Sequence, residues 1–530
     1  MEFNSRRSNV RTTNGMVATS QPLAAMAGLR ILMAGGNAID AAVATAATLS
    51  VVEPQSTSVG GDVFSLIWMN DEKTVRALNA SGRSSESASR SELLSRNMSY
   101  IPVQSPYAIT VPGAVSGWSA VLERYGTMDL SDVLKPAIEY ARNGYPVSEL
   151  ISNSWKANAY KLQAFPSGGE LLLNGKAPEL GQIMRMPELA KTLQIIAEGG
   201  MEAFYKGDIA KKIVGYVQER GGWITLEDMA NHEANWVEPI STNYRGVTCW
   251  QCPPNGQGIN VLMALNIAQG FDLQEKGYQT ADTYHHLIES MRLSLTDGLW
   301  YVTDPAVRQV PISELNSYNY ADKQRQLINS DTAMKDVSVG VTNNHSDTVY
   351  VSCVDGEGNA CSFINSIFSG FGTGLVVPDT GIVLQNRGSS FSLSADHPNV
   401  LEPNKRPFHT LIPGMATIDG KLWLSYGVMG GMQQAQGHFQ ALINMIDFKL
   451  SPQEALNAPR FSVRLGEGIA LEPFVPEEVV QNLRKKGHHI FVDASNGVFF
   501  GGGQIISRDS QTGVLVGGSE PRLDGCAVGW

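Results

Sequence analysis

The 530-residue chain has little charge and little cysteine. Charged residues make up 17% of it, against roughly 25% in typical globular proteins, and no long run of lysine and arginine accompanies the net charge of −11. A nucleic-acid partner is therefore not expected. The cysteines are odd in number and scattered, which argues against a disulfide framework: Cys249, Cys252, Cys353, Cys361 and Cys526.

Long apolar runs are also missing. A membrane span needs about 18 or more consecutive apolar residues, whereas the Ala-rich segment 38–52 is shorter and contains Asp40. Polar residues follow the N-terminus, where a secretory signal would have an apolar stretch of about 7–15 residues. We therefore expect no membrane partner and a cytoplasmic location.

Common catalytic and cofactor motifs are absent from the sequence. It has no G-x-S-x-G elbow, no G-x-x-x-x-G-K-[ST] phosphate loop and no H-E-x-x-H zinc motif. The glycine-rich stretch 370–374 lacks the strand-to-helix setting of a dinucleotide site and is interpreted as a turn. Cys249 and Cys252 lack a second pair, and His285 and His286 lack a third ligand, so neither set predicts a metal site. We expect no cofactor and no metal.

Hydrophobic residues (43%) and glycine (53 residues) are plentiful, enough for a large core of closely packed elements. Apolar residues recur at helical spacing within 21–52 and through most of 115–300, and they alternate at strand spacing from Thr348 onward. The segments 348–354 and 360–365 are predicted to pair as a hairpin. Because no repeat or linker interrupts the chain, we predict a single α+β domain, 1–530.

A candidate nucleophile lies where the polar stretch 343–347 meets the predicted strand. If the bond between Asp347 and Thr348 were cut, Thr348 would gain an α-amino group with a pKa of about 7.7–8.0. That amine could remove the proton of the threonine hydroxyl, so one residue would supply nucleophile and base. The β-branch restricts χ1 and holds Oγ1 in place. Taken alone, an Asp–Thr step at the start of a strand is ordinary.

Short motifs occur along the chain in a definite order. They are Gly35-Gly36-Asn37-Ala38-Ile39-Asp40-Ala41-Ala42, Val59-Gly60-Gly61, Val111-Pro112-Gly113, Ala141-Arg142-Asn143-Gly144, Phe371-Gly372-Thr373-Gly374, Met429-Gly430-Gly431 and Asn457-Ala458-Pro459-Arg460-Phe461. Each is modest, but the set in this order is specific. Over nearly its whole length the chain resembles the γ-glutamyltransferase family of N-terminal-nucleophile hydrolases.

The resemblance implies a proenzyme with a four-layer αββα fold that cleaves itself between Asp347 and Thr348. The products would be a large subunit, 1–347, and a small subunit, 348–530, which stay together; a dimer of such pairs is left open. The mature threonine would attack a small-molecule γ-glutamyl amide such as glutathione. The acyl group would then pass to water or to an amine.

The resemblance also implies roles for individual residues. Gly430 and Gly431 match the glycine pair whose backbone N–H groups stabilise the oxyanion. Asn365 matches an asparagine beside the nucleophile, where its side-chain amide would contact substrate. Arg83 matches the arginine that pairs with the α-carboxylate of the substrate, as a guanidinium can do bidentately. Without the resemblance, the glycine pair would be interpreted as a turn and Arg83 as a surface residue.

The chain departs from the family where the glutamyl amino group would be held. Ser390 replaces the usual acidic residue and Arg387 adds a positive charge, so an ammonium group would lose its partner. His409 and Thr410 replace a serine pair that contacts the α-carboxylate. These changes resemble the cephalosporin-acylase-like and oxamate-amidohydrolase-like subgroup. Arg83, with weaker support from Arg387 and His409, still favours an acidic acyl group.

Three functions stay open at this point. The first is a γ-glutamyltransferase or glutathione hydrolase. The second is an amidohydrolase for a dicarboxylic acyl amide without the α-amine, of glutaryl or oxamate type. The third is a non-processing relative that only binds a ligand. An acidic pocket near position 390 would favour the first function and a basic pocket the second.

Overall fold

The computed structural model describes residues 7–335, 347–493 and 500–530. These residues form the helices α1 (Pro22–Met33), α2 (Ala38–Val52), α3 (Arg90–Ser95), α4 (Ala114–Tyr125), α5 (Leu130–Asn143), α6 (Glu149–Gln163), α7 (Pro187–Tyr205), α8 (Asp208–Glu219), α9 (Leu226–Ala230), α10 (Gly258–Ala268), α11 (Leu273–Lys276), α12 (Ala281–Tyr301), α13 (Ile312–Leu315), α14 (Tyr318–Arg325), α15 (Gln433–Ile446), α16 (Pro452–Asn457) and α17 (Glu477–Lys485). Among these helices, none has both the length and the apolar character needed to cross a bilayer.

The strands are β1 (Val10–Thr12), β2 (Gly15–Thr19), β3 (Asp62–Met69), β4 (Thr74–Asn79), β5 (Tyr145–Pro146), β6 (Ile183–Met184), β7 (Asn235–Val237), β8 (Ile240–Tyr244), β9 (Val247–Gln251), β10 (Asp347–Asp355), β11 (Ala360–Phe368), β12 (Val376–Val377), β13 (Ile382–Val383), β14 (Gly414–Ile418), β15 (Lys421–Met429), β16 (Phe461–Arg464), β17 (Gly468–Leu471), β18 (Ile490–Val492), β19 (Gly502–Arg508), β20 (Leu515–Ser519) and β21 (Cys526–Gly529). Two seven-stranded sheets contain most of them. The first sheet has the order β21-β2-β10-β11-β3-β4-β7, and the second has the order β1-β20-β19-β15-β14-β9-β8. Each sheet therefore contains strands from both sides of the Asp347–Thr348 bond.

Strand β10 shows how the alternation of side chains builds the core. Val349, Val351 and Cys353 face a cluster that includes helices α1, α2, α4 and α5, whereas Tyr350 and Val354 face a cluster shared with the second sheet. Period-two alternation places these two sets on opposite faces of the strand. The second sheet packs its other face against α10, α12, α15 and α16. The predicted α+β class, a mixed fold of helices and sheets, is confirmed.

Capping residues explain where the helix next to the first sheet begins. Asn37 caps α2 by accepting hydrogen bonds from the backbone N–H groups of Ile39 and Asp40, and the Asp40 carboxylate accepts from the N–H of Asn37. This capping box satisfies donors that a helix start leaves unpaired. Asp40 also accepts from the hydroxyl and N–H of Thr127, which ties the loop after α4 to α2.

Candidate active site

Thr348 lies at the start of β10, where the strand pairing is irregular. Asp347 pairs with Phe368 on β11, but Val349 pairs with Asn365, so the register shifts across Thr348. A bulge of this kind re-aims a side chain at the end of a ladder. Thr348 is 2% exposed, and its Oγ1 donates to the Ser366 hydroxyl at 3.2 Å. The polar stretch 343–346 and the side chain of Asp347 lie outside the described residues.

Ser366 joins the candidate nucleophile to a buried arginine. Its hydroxyl oxygen also accepts from the backbone N–H of Phe368 at 2.8 Å and from Nη2 of Arg387 at 3.4 Å. No sequence motif singles out Ser366, which lies one residue beyond the predicted partner segment 360–365 and belongs to β11. The hydroxyl of Ser366 fixes the direction of the Thr348 side chain and the position of one guanidinium nitrogen.

Arg387 begins a short 3₁₀ helix, Arg387–Ser390, and is completely buried. Its Nη1 donates to the Thr410 hydroxyl at 2.8 Å, and its guanidinium lies over the Phe368 ring at 4.3 Å from the centroid. Burial lowers the pKa of Arg387 to about 9, and the charge of Asp62 opposes this shift. The group is therefore a cation at neutral pH. Its Nε is buried without a hydrogen-bond partner among the described residues.

Asp62 and His409 form a buried pair next to this arginine. Nε2 of His409 lies 3.0 Å from Oδ2 of Asp62, and Nδ1 of His409 accepts from the N–H of Leu411 at 3.2 Å. Since Nδ1 is an acceptor, Nε2 carries the proton and donates to Asp62. Burial, reinforced by the charge of Arg387, lowers the pKa of His409 to about 3, so the imidazole is neutral.

The carboxylate of Asp62 is held in its ionised form. Its Oδ1 accepts from the N–H of Gly82 at 2.9 Å and from the Gln385 side chain at 3.0 Å. Burial opposes ionisation, but the hydrogen bond from His409 and the charge of Arg387 hold the pKa of Asp62 below its usual range. No sequence motif singles out Asp62, although it directly follows the motif Val59-Gly60-Gly61.

Gly430 and Gly431 connect the end of β15 to the start of α15. Their φ angles are +124° and +60°, which glycine adopts at little cost. A Cβ on Gly430 would lie 3.1 Å from the Cα of Gly501. Within the described ranges, no acceptor pairs with either backbone N–H. The geometry thus leaves two amide donors beside the N-terminus of a helix, as an oxyanion site needs.

Gln257 links the glycine pair to the arginine. Its side-chain amide donates to the carbonyl of Thr410 at 2.9 Å and to the carbonyl of Gly431 at 2.9 Å. Hydrogen bonds therefore run from Thr348 through Ser366, Arg387, Thr410 and Gln257 to Gly431. The structure thus brings together five of the residues that the sequence singles out: Thr348, Arg387, His409, Thr410 and Gly431.

Asn365 does not lie beside Thr348, contrary to the expectation from the family resemblance. Its side chain donates to the Thr57 hydroxyl at 2.6 Å and accepts from the Trp118 indole at 3.1 Å. Asn365 is paired with Val349, whose side chain faces the helices, whereas Oγ1 of Thr348 donates to Ser366, the next residue along β11. Ser366 is therefore a hydrogen-bonded neighbour of the candidate nucleophile.

Among the described hydrogen bonds, none joins the side chains of Arg83 or Ser390 to the series of contacts that runs from Thr348 to Gly431. Nη1 of Arg83 is paired with the Asp304 carboxylate at 2.6 Å and donates to the Asn404 carbonyl at 3.0 Å. Arg83 borders a cavity of 470 Å³ whose other charged residues are acidic: Glu86, Glu227, Asp228 and Glu233. Ser390 is half-buried, and its carbonyl accepts from Asn399 at 2.7 Å. Arg83 is thus already neutralised by a carboxylate.

Known proteins resemble this chain over almost all of its length. Residues 24–530 match the family described as gamma-glutamyltranspeptidase. The chain is 40% identical to the glutathione hydrolase-like YwrD proenzyme of Bacillus subtilis (strain 168), over 98% of both chains. It is 33% identical to the acylase ACY 1 proenzyme of Pseudomonas sp. (strain SE83), over 99% of this chain and 95% of that one.

A solved structure shows the same fold. The chain matches cephalosporin acylase from Bacillus halodurans with a TM-score of 0.95 and 44% identity, over 100% of this chain and 98% of that one. The chain thus has the same mixed fold of helices and sheets as this acylase. The chain belongs to the gamma-glutamyltranspeptidase family. The predicted family is confirmed, and so is the prediction of an amide-hydrolysing enzyme.

Proposed function

We propose that this protein is a self-cleaving amide hydrolase and acyltransferase that acts on γ-glutamyl amides such as glutathione. The observation that carries the proposal is the buried Thr348, whose Oγ1 is held by Ser366 at the start of β10. The names of relatives, a glutathione hydrolase-like proenzyme and acylases, support the same reaction class.

In the proposed maturation, the peptide bond between Asp347 and Thr348 is cleaved. This leaves a large subunit, 1–347, and a small subunit, 348–530, and gives Thr348 a free α-amine. The two sheets each combine strands of both subunits, which supports a stable pair. The three apolar clusters support the four-layer αββα arrangement as part of this proposal.

In the proposed reaction, the α-amine of Thr348 takes the proton from Oγ1 as this oxygen attacks the acyl carbonyl. The N–H groups of Gly430 and Gly431 donate to the oxyanion that develops. The C–N bond then breaks, and the leaving amine takes the proton from the α-ammonium group. Water or an acceptor amine attacks the resulting ester and releases the acid or a new amide.

A second substrate class, dicarboxylic acyl amides without an α-amine, is favoured by one observation. The position where the family has an acidic residue carries Ser390, one 3₁₀ turn after the buried cation Arg387. An α-ammonium group would meet the positive charge of Arg387 there, and both oxygens of the nearby Asp62 are already hydrogen-bonded. The acylase names of two relatives are consistent with this second class.

Denaturing electrophoresis and product release test the proposed function together. The wild-type chain should convert from one band to two, and the processed protein should release glutamate from glutathione. Thr348→Ala should abolish both, whereas Thr348→Ser, which keeps a hydroxyl, should retain measurable cleavage. A single full-length band after long incubation would support the third, non-processing function instead. Cleavage that persists in Thr348→Ala would place the nucleophile elsewhere.

A further inference from the structure

Arg387 is a buried cation that lacks an ion pair. Of the roughly five N–H groups of a guanidinium, it uses one on Thr410 and one on Ser366, both of which are neutral hydroxyls. None of the ion pairs formed by the described residues includes it, and its Nε has no partner there. A buried charge without a partner is costly, which makes this group a candidate receptor for an anion.

The neighbouring carboxylate does not fill this role. Both oxygens of Asp62 are engaged, Oδ2 by His409 and Oδ1 by Gly82 and Gln385. The negative charge of Asp62 therefore stabilises the Arg387 cation electrostatically, while the N–H groups of the guanidinium stay available to another acceptor. His409 donates to one oxygen of Asp62, and none of the hydrogen bonds of the described residues joins Asp62 to Arg387. Arg387 therefore keeps open donor positions beside this carboxylate.

The arginine lies close to the candidate nucleophile. The separation of Nη2 of Arg387 from Oγ1 of Thr348 cannot exceed the combined length of two hydrogen bonds, 3.2 Å and 3.4 Å, that meet at Ser366. In a substrate whose carboxylate binds Arg387 while its acyl carbonyl is attacked by Oγ1, only a few covalent bonds can separate the carboxylate from the carbonyl. Acyl groups from oxalyl to glutaryl have this length.

We propose that Arg387 binds the carboxylate of the acyl group, and that the preferred substrates are amides of short dicarboxylic acids without an α-amine. The inference rests on the proposed function, since it concerns the pocket of the same nucleophile. It reverses the ranking expected from sequence, in which Arg83 is the main carboxylate partner. Arg83 is paired with Asp304, whereas Arg387 has a planar fork with free donors that fits a carboxylate bidentately.

Processed protein and four matched amides test this proposal. The acyl groups are glutaryl, oxalyl, γ-glutamyl and butyryl, on a common leaving amine. The wild type should prefer glutaryl over γ-glutamyl by about tenfold or more, because the extra ammonium meets the charge of Arg387. Arg387→Gln should lower kcat/KM for the glutaryl amide by about 100-fold, as expected for a lost charge-assisted bidentate contact. The same variant should lower kcat/KM for the butyryl amide far less, so the ratio of the glutaryl rate to the butyryl rate should fall by about 30-fold.

Arg406→Gln is the matched control, because Arg406 is also buried but donates to the Ser81 carbonyl and to the Asn235 side chain. It should change the rates for all four amides by one common factor. Equal losses on glutaryl and butyryl amides in Arg387→Gln, or a wild-type preference for γ-glutamyl, would overturn the proposal.

Calorimetric titration of the wild type covers the case in which Arg387→Gln does not fold. Glutarate should bind at least tenfold more tightly than glutamate, because the ammonium group of glutamate would meet the charge of Arg387. Comparable affinity for glutamate would overturn the assignment. Failure of the proposed function is a separate result, since an uncleaved wild-type chain would reveal it by electrophoresis, whatever glutarate does.

Discussion

Replacement of Ser366 by alanine tests the contact that orients the candidate nucleophile. The hydroxyl of Ser366 accepts from Oγ1 of Thr348 at 3.2 Å, from the N–H of Phe368 at 2.8 Å and from Nη2 of Arg387 at 3.4 Å. Alanine removes this shared acceptor and leaves the backbone of β11 unchanged. The Thr348 side chain loses a contact that limits its rotation.

The expected magnitudes follow from the types of these hydrogen bonds. A neutral hydrogen bond contributes about 1 kcal/mol and one to a charged group about 1.5–3 kcal/mol, so the loss of two neutral contacts and one charged contact should lower the free energy of unfolding by about 3.5–5 kcal/mol. The contact to Thr348 itself is neutral. Its loss should lower kcat and the self-cleavage rate by about five- to tenfold, since 1.36 kcal/mol corresponds to a factor of ten.

The assay follows the first-order disappearance of the full-length band and the kcat of the processed protein. Ser366→Thr retains the hydroxyl and should restore most of both rates. Ser362→Ala is the matched control, because Ser362 lies on the same face of β11 and its hydroxyl contacts Tyr350 and the N–H of Gly414. That variant should lose stability but keep kcat within about twofold. Wild-type rates in Ser366→Ala, or equal losses in Ser362→Ala, would refute the reasoning.

Two further changes have defined outcomes. Gly430→Ala should lower kcat by about 100-fold or more, because φ of +124° and the nearby Gly501 do not accommodate a Cβ. Gly420 lies in an open turn at φ +70°, so the control variant Gly420→Ala should not affect kcat. Equal kcat values in the two variants would contradict this prediction. Burial lowers the pKa of His438 and His488 to about 3, from 6.5. The unfolded state binds more protons below pH 6.5, so each histidine should reduce the free energy of unfolding by about 2 kcal/mol at pH 5 relative to pH 7.5. Urea unfolding at the two pH values measures this loss, and His438→Gln should make it smaller; an unchanged loss would be the contrary result.

Much of the fold was predictable from periodicity because long amphipathic segments are unambiguous. The helical spacing within 115–300 is confirmed by helices such as α5, and the predicted hairpin of 348–354 and 360–365 coincides with β10 and β11 apart from its ends. The short strands after residue 460, β16 to β21, were not predicted. They have three to seven residues, too few to separate alternation from chance.

The candidate site was predictable only where a residue matches a family motif. Thr348 was predicted from the resemblance together with its place at a strand start, whereas Asp62 and Gln257 bind partners far away in the chain and match no motif. The contacts of the Asn365 side chain with Thr57 and Trp118 were not predictable, because these residues lie 308 and 247 positions away in the sequence. Likewise, the pairing of Arg83 with Asp304 spans 221 residues and leaves no local pattern.

The shared sheets have a consequence for the durability of the enzyme. If the bond between Asp347 and Thr348 is cleaved as proposed, two polypeptides that meet in solution must rebuild the same β-ladders after unfolding. Recovery from heating would then depend on protein concentration, and separated fragments would expose unpaired strand edges. The lifetime of the cleaved enzyme would then be governed by the rate at which these ladders open.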